Sequence, residues 1–437
     1  MNKNQTFFIK TYGCPSNKSD TEIMIGLLEK EGYRLTNLEE ANYLIVNTCG
    51  VKQPTEEKVI HTLKQLSSLG KNLIIAGCLP KINIERIKSA IPNFSAMLDP
   101  QSVNNIVEIL KKIENGSKNL IIFSNEPPIK PTLPKHLLNP FIGIIQISEG
   151  CDLACSYCCT RFARGRLFCY SSREIIEEAK CLIQNGCKEL YITSQDTGAY
   201  KYDNLTLADL LKGICKIEGK FFIRVGMMNP LHAKQILDDL ITAYKDEKIF
   251  KFLHLPVQSF SSRILKLMKR GYEPETVLEI INKFYKAIPD LTLSTDVIVG
   301  FPTEDDSDFE ETVKFIEQVK PDTVNLSKFG ARPRTEASRL KQLPVSIVNK
   351  RSKELFELIR RISLEKNEKW LNWCGECLID ERGIKNGTWI GRNFAYKPIV
   401  VRSTKNLFGR FVEVEITGAK SNYLIGRLKH EIVYRKF

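Results

Sequence analysis

The sequence predicts an α/β protein in three parts: an N-terminal α/β domain with a parallel sheet, a central partial (βα)6 barrel, and a small C-terminal β-barrel. Three observations predict this. Short apolar strands alternate with helical patterns over residues 5–125, and the alternation restarts at Phe141 for six further units. A stretch with five prolines and no period, EPPIKPTLPKHLLNP at 126–140, separates the two runs. After Trp370 the chain changes to short β-rich segments punctuated by Gly383, Gly387, Gly391, Gly409, Gly418 and Gly426. The boundaries that follow are 1–125, a linker at 126–140, a core at 141–369 and a terminal module at 370–437.

In the first part, Thr6–Tyr12, Tyr43–Asn47 and Asn72–Ala76 read as strands. Ser19–Glu31, introduced by Ser19-Asp20, Thr55–Ser67 and Ile84–Ala90 read as helices between them. In the core the strands are Ile142–Ile147, Glu189–Thr193, Phe221–Val225, Phe252–Leu255, Leu291–Val299 and Thr323–Leu326, with helices such as Ser172–Gln184 and Pro274–Ala287 between them. Six successive βα units place a site at the C-terminal ends of the strands. Ser346–Lys369 is a long basic helix, and the terminal module has the strand pattern of an OB-like barrel.

Of the 437 residues 43% are hydrophobic and 26% charged, which excludes collagen, coiled coil and disorder. Apolar runs such as Pro140–Ile147 and Asn72–Leu79 are only strand-length, so no membrane span is expected. Met1–Lys10 lacks a secretory pattern, so a cytoplasmic protein is expected. Residues 1–330 carry 41 Lys+Arg against 40 Asp+Glu, whereas 331–437 carry 23 against 11. Nearly all of the net charge of +13 therefore sits in the last quarter, an electrostatic footprint for a polyanion.

Thirteen cysteines in a long chain without a disulfide context point to metal ligands, redox groups or buried thiols. The five histidines are scattered, so any metal is bound by sulfur. Cys151, Cys155 and Cys158 follow the first core strand on one loop, where three thiolates can converge on a small inorganic group. A structural zinc would want a fourth ligand at matching spacing, and Cys159 and Cys169 do not repeat a zinc-ribbon pair. A cubane iron–sulfur cluster held by three cysteines keeps one iron open. Cys14, Cys49 and Cys78 each follow a strand of the first domain, so parallel strands bring all three to one sheet edge. Simple buried thiols remain the alternative there. Arg161, Arg164 and Arg166 beside the loop suit phosphate contact, with a solvated face as the alternative. Cys374-x2-Cys377 has no partner pair and reads as structural.

The segment CDLACSYC, with its Cys-x3-Cys-x-aromatic-Cys spacing, resembles the signature of radical S-adenosylmethionine (SAM) enzymes. TYGCPSNKSD, VNTCGVKQPTEEK and IAGCLP resemble the N-terminal motifs of the methylthiotransferase branch of that class. The resemblance extends through ARGR at 163–166, SQDTGAY at 194–200, HLPVQS at 254–259 and DVIVGFP at 296–302, and ends in a module that looks like the TRAM type. SQDTGAY, VGMMNP and TRFARGR look most like the archaeal and eukaryotic threonylcarbamoyladenosine branch. Thr303-Glu304-Asp305 departs from the family's usual Gly-Glu-Thr, and Cys169 replaces a usual serine.

The resemblance implies two 4Fe–4S clusters, one on Cys151, Cys155 and Cys158 that cleaves SAM to a 5′-deoxyadenosyl radical, and an auxiliary one on Cys14, Cys49 and Cys78 that passes sulfur to the substrate. It implies two SAM molecules with different fates, one giving the methyl group and one the radical. Gln195 and Asp196, at the end of the second core strand, fall where the class places groups for the SAM amino group; Ser259 and Asp296 are candidates for its ribose or methionine. The expected activity is methylthiolation of C2 of N6-threonylcarbamoyladenosine next to the tRNA anticodon. The alternatives are another tRNA adenosine, an aspartate of a ribosomal protein, or an RNA-binding protein whose clusters are structural. The cationic tail disfavours a cationic ribosomal protein. A sulfur donor and a ferredoxin- or flavodoxin-like electron donor are implied partners, and the chain is read as a monomer.

Overall fold

The computed structural model describes residues 5–431. Its α/β architecture is the one expected. The N-terminal sheet is wholly parallel, in the order Arg34–Leu35, Thr6–Thr11, Tyr43–Thr48, Asn72–Gly77, Ala96–Leu98, Leu120–Ile122. Tyr43–Thr48 is buried along its whole length because helices cover both faces. The first helix runs Pro15–Lys30, four residues earlier than the Ser19-Asp20 signal indicates. Pro15 sets this start, since its fixed φ and missing N–H suit the first turn. Ser19 and Asp20 are therefore buried mid-helix residues, not caps.

The six central strands are Ile142–Gln146, Glu189–Thr193, Phe222–Val225, Phe252–His254, Thr292–Val299 and Thr323–Lys328. They pair in sequence order as two parallel triplets, and the parallel bridge between Ile223 and Ile249 joins the triplets. Among the described residues the first strand pairs only with the second and the last only with the fifth, which leaves a partial barrel open between these two edges. Despite its five prolines, the 126–140 segment is no loose tether: Lys130 is buried, His136 N–H donates to Glu22 O at 2.9 Å, and Gly26 lies against the Pro134 backbone, where a Cβ would come within 2.6 Å.

Five strands, Cys374–Arg382, Thr388–Arg392, Pro398–Arg402, Phe411–Ala419 and Leu424–Glu431, close the C-terminal barrel. This barrel is packed onto the amino ends of the central strands. Phe141 meets Phe408 edge-on at 4.9 Å, Tyr191 and Tyr396 share a 2.7 Å hydroxyl contact, and Lys251 N–H donates to Phe394 O at 2.8 Å. Gly409, at φ +73°, lies where a Cβ would strike the Phe141 ring at 2.3 Å. Glu189 and Asp380 are both fully buried in this seam; burial first, then the Asp380 charge, lifts Glu189 well above the ordinary carboxylate range. Cys377 is buried in the terminal core and Cys374 is exposed, so that pair is structural. Among the described residues no helix is long and apolar enough to cross a membrane.

Glu22, on the first helix, faces the 126–140 segment. Its Oε1 accepts from Leu138 N–H at 3.1 Å, and its buried Oε2 has no partner. Burial raises this carboxyl from 4.5 to about 7 against the pull of Lys135. The folded chain thus holds a proton that the unfolded chain has released between these two values, so stability falls as pH rises through that window. Relative to wild type, Glu22→Gln should gain up to about 3 kcal/mol at pH 8 and little at pH 5, read from urea midpoints. An equal gain at both pH values would refute this titration.

Candidate active site

The strands Thr6–Thr11, Tyr43–Thr48 and Asn72–Gly77 are adjacent, so the cysteines that follow them, Cys14, Cys49 and Cys78, stand side by side at one sheet edge. Close approach is needed here. Gly77, at φ +93°, lies where a Cβ would come within 2.4 Å of Asn47 Oδ1, and a Cβ on Gly13 would lie 3.0 Å from Cys49 Cβ. Asn17, one helical turn after Cys14, sits among them. Its Oδ1 is 3.9 Å from Cys14 Sγ and 3.7 Å from Cys78 Sγ, while its amide donates to Tyr12 O and Thr48 O.

Cys151, Cys155 and Cys158 lie on the loop after the first barrel strand. A short antiparallel pair, Ser148–Glu149 with Phe168–Cys169, closes the base of this loop. Gly150 is at φ +72°, where a Cβ would lie 1.9 Å from Arg166 O. Ser156 anchors the tip: its Oγ donates to Leu267 O at 2.6 Å and its N–H to Met268 O at 3.0 Å. The three cysteines line a cavity of about 210 Å³ together with Val51, Gln195, Asp196, Gln258 and Arg270. Val51 comes from the other domain, two residues after Cys49. Cys159 completes the junction, buried against Cys78 with its thiol 3.6 Å from Gly50 O. The segments that carry the two triplets thus meet at the domain contact.

Gln195 lines the cavity and keeps a buried Oε1 without a donor, the kind of acceptor an ammonium group satisfies. Asp196 also lines it, but its carboxylate is already engaged. Oδ1 accepts from Gly198 N–H at 3.2 Å and Asn229 N–H at 2.9 Å, and Oδ2 lies 2.7 Å from His232 Nδ1. Ser259 and Asp296 are not among the residues around the cavity. Ser259 Oγ accepts from Ser261 N–H at 3.3 Å, and Asp296 Oδ2 lies 3.3 Å from His254 Nε2. Gln258, beside Ser259 and at φ +75°, faces the cavity instead.

Arg270 is the residue that sequence reasoning missed. Buried at 6% exposure, it brings Nη1 to 3.5 Å from both Cys155 Sγ and the Tyr157 hydroxyl, and it is held by Pro256 O at 2.8 Å. It comes from MKRGYEP, which has no periodicity or spacing that marks it. Arg164 is a correction to the phosphate reading. Its guanidinium donates to Asn17 Oδ1 at 2.8 Å, Asp20 Oδ2 at 2.7 Å and Glu149 Oε2 at 2.9 Å, and Lys130 bonds both acids from the far side. All four charged side chains are at most 1% exposed. Arg161 and Arg166 are exposed.

Burial pushes the Cys151 thiol up to about 12 and also raises Cys49, Cys78 and Cys155. Metal loading must therefore expel protons from buried sulfur. Among the described residues no three His, Cys, Asp or Glu side chains gather as they would around a single ion. A cubane sets a different requirement, because each of its three cysteines binds a different iron. Both triplets, with Gln195 and Arg270 beside the second, are chemically suited to such clusters.

The parallel partial barrel with its cysteine loop defines a radical SAM protein, and the family description for the Radical SAM superfamily matches residues 145–316. The Uncharacterized protein family UPF0004 matches residues 6–99 and the TRAM domain 376–429. The chain belongs to the threonylcarbamoyladenosine tRNA methylthiotransferase family. A probable member from Methanothermobacter thermautotrophicus is 41% identical over 96% of this chain and 98% of its own length. The Homo sapiens member is 31% identical over 97% of this chain and 74% of its own. Among solved structures, the radical SAM methyltransferase TsrM from Kitasatospora setae superposes with a TM-score of 0.58 at 12% identity, covering 76% of this chain and 75% of its own, which shows the shared fold alone.

The buried charge cluster yields a direct test. Arg164→Leu leaves two acids facing one lysine and should cost about 3–5 kcal/mol. Adding Asp20→Leu restores neutrality and should recover part of that loss. A double variant whose urea midpoint is lower by the full sum of the two single losses would show that these charges do not act as one unit.

Proposed function

We propose that this chain methylthiolates C2 of N6-threonylcarbamoyladenosine next to the tRNA anticodon, giving 2-methylthio-N6-threonylcarbamoyladenosine. The observation that carries this reading is a small cavity lined by Cys151, Cys155 and Cys158 together with Val51, two residues after Cys49 of the other triplet, in a chain of this family. Cys151, Cys155 and Cys158 would hold a 4Fe–4S cluster, and Cys14, Cys49 and Cys78 a second. When bound, the first supplies a low-potential electron for SAM cleavage and the second a sulfur atom.

The chain's own residues have definable tasks. Gln195 Oε1 offers an acceptor to the SAM ammonium. Asp196 is a positioning residue: by holding Gly198, Asn229 and His232 it fixes the turn that presents Gln195. Arg270 sets a positive charge against Cys155, which favours its thiolate. Leu153, Met227 and Met228 give the cavity an apolar lining that limits water around a reactive radical. Ser259 and Asp296 stand as indirect supports, one residue from Gln258 and on the neighbouring strand. A sulfur donor, a ferredoxin- or flavodoxin-like reductant, a cytoplasmic setting and a monomeric chain complete the reading.

The basic terminal barrel would hold the RNA backbone. Because it is packed on the base of the central barrel, deleting it would expose Phe141 and Tyr191, so substitution is the sound test. Replacing the exposed Lys385, Arg402 and Lys420 by Ala should weaken tRNA binding and flatten its salt dependence by about 0.7–0.9 per lost phosphate contact. An unchanged slope would make them mere surface charge.

Nucleoside mass spectrometry of tRNA from cells with and without this chain tests the product. On the isolated protein, changing Cys151, Cys155 and Cys158 to Ala should remove about half the bound iron and abolish 5′-deoxyadenosine formation. Changing Cys14, Cys49 and Cys78 should remove about half the iron but leave some SAM cleavage. Wild-type protein that reconstitutes with only one cluster would refute the two-cluster reading.

A further inference from the structure

A second cavity, of about 680 Å³, lies away from all six cysteines, where the central barrel, the helix Val345–Glu368 and the terminal barrel meet. The barrel strands contribute Arg224, Phe252 and Thr292, the helix Phe356 and Arg360, and the terminal barrel Tyr396. The volume is within the range of sites that enclose a small organic ligand.

Its chemistry is specific. The Arg224 guanidinium lies 5.3 Å from the ring centroids of both Tyr191 and Phe252 and 5.8 Å from that of Tyr396, and its charge also reaches the buried Glu189. Thr292 is only 4% exposed, yet its Oγ1 has no hydrogen-bond partner. At the mouth, Phe356 is 57% exposed on a helix otherwise rich in charge, and the exposed Arg360 stands one turn further along the same side, with no ion-pair partner among the described residues. The other two cations of the lining are committed: Lys397 to Asp322 at 2.7 Å, and Arg392 to Glu381 at 3.1 Å. The exposed Phe356 ring, the exposed Arg360 guanidinium beside it and an orphaned hydroxyl within together suit an unstacked nucleotide, whose base can stack while its phosphate pairs with arginine.

We propose that this cavity binds a single-stranded nucleotide of the RNA substrate, one other than the nucleotide that is modified. The proposal rests on the reading of the chain as an RNA-modifying enzyme. The two cavities are linked by a short run of chain: His254, at the end of its strand, lines this one, and Gln258, in the turn four residues on, lines the cysteine cavity. Four residues span at most about 14 Å, within reach of neighbouring nucleotides in one loop. A loop held at both points would be fixed in register before chemistry.

The test uses full-length protein and two synthetic RNAs, an anticodon stem-loop and a fully paired duplex of equal length, measured by fluorescence anisotropy over a salt series. Phe356→Ala should weaken stem-loop binding about five- to fifty-fold without altering the salt slope, since it removes stacking and no charge. Phe356→Trp should restore affinity. Arg360→Ala should lower the slope by about 0.7. Duplex affinity should be the same for wild type and Phe356→Ala, and RNA-independent 5′-deoxyadenosine formation should stay at the wild-type rate in every variant. If wild type binds the stem-loop and both Ala variants bind it equally well, the cavity is not a nucleotide site. If wild type does not bind the stem-loop, the RNA-substrate reading fails, and this proposal with it.

Discussion

The buried quartet of Asp20, Arg164, Glu149 and Lys130 is the constraint on which the rest of the molecule depends. Its members come from the first helix, the cysteine loop, the end of the first barrel strand and the inter-domain segment, so no single element can satisfy its own charge. Removing four charges from water is expensive, and the cost is met only when all four segments arrive together. Burial alone would raise Asp20; Lys130 and Arg164 outweigh it and hold the carboxyl below its ordinary value. The quartet is neutral as a set, which lets it sit dry between two domains. It also extends to the chemistry, because Arg164 donates to Asn17, and Asn17 lies between Cys14 and Cys78. The loop that carries one cysteine triplet is thereby tied to the neighbourhood of the other.

A second clamp works from the opposite side. Arg332, after the last barrel strand, bonds the buried Glu56 of the N-terminal domain, and Glu56 also receives Arg86 at 2.9 Å and Asn83 at 2.9 Å. Arg351 does the same for the helix Val345–Glu368 by pairing with Glu304 at 2.8 Å, while Glu304 accepts from Gly300 N–H at 2.9 Å. Thr303-Glu304-Asp305, which departs from the family's usual triplet, is thus a structural turn in this chain. In each clamp an arginine fork joins segments far apart in sequence, a geometry that a lysine would not reproduce.

What the sequence revealed and what it concealed divide along physical lines. Strand alternation and cysteine spacing are local patterns, and they led to the right sheets and to both triplets at strand ends. The start of the first helix was misread because Ser19-Asp20 has the look of a cap, whereas Pro15 and a tertiary charge requirement decide the matter. Arg164 looked like a phosphate ligand because its role depends on Asp20 and Glu149, which only the fold brings near. Arg270 was invisible for the same reason: its contacts with Cys155 and Pro256 are made across 115 and 14 residues respectively. HLPVQS drew attention to a turn in which the left-handed Gln258 lines the cavity while its neighbour Ser259 is buried.

The terminal barrel shows why placement matters more than net charge. A basic module on a flexible tether would raise the local concentration of RNA and do little else. Here Phe141, Tyr191 and Glu189 lock it to the amino ends of the central strands, so its charges stand at fixed distances from the cavity that opens at the carboxyl ends. Phosphate contacts on such a frame would do more than attract: they would set where along the loop the strand must bend. Base choice is left to the few positions at which an unstacked ring can be enclosed. Selectivity for one adenosine in a loop of similar bases thus becomes a matter of distance along a rigid body, with the arginine clamps and the neutral quartet keeping that distance constant.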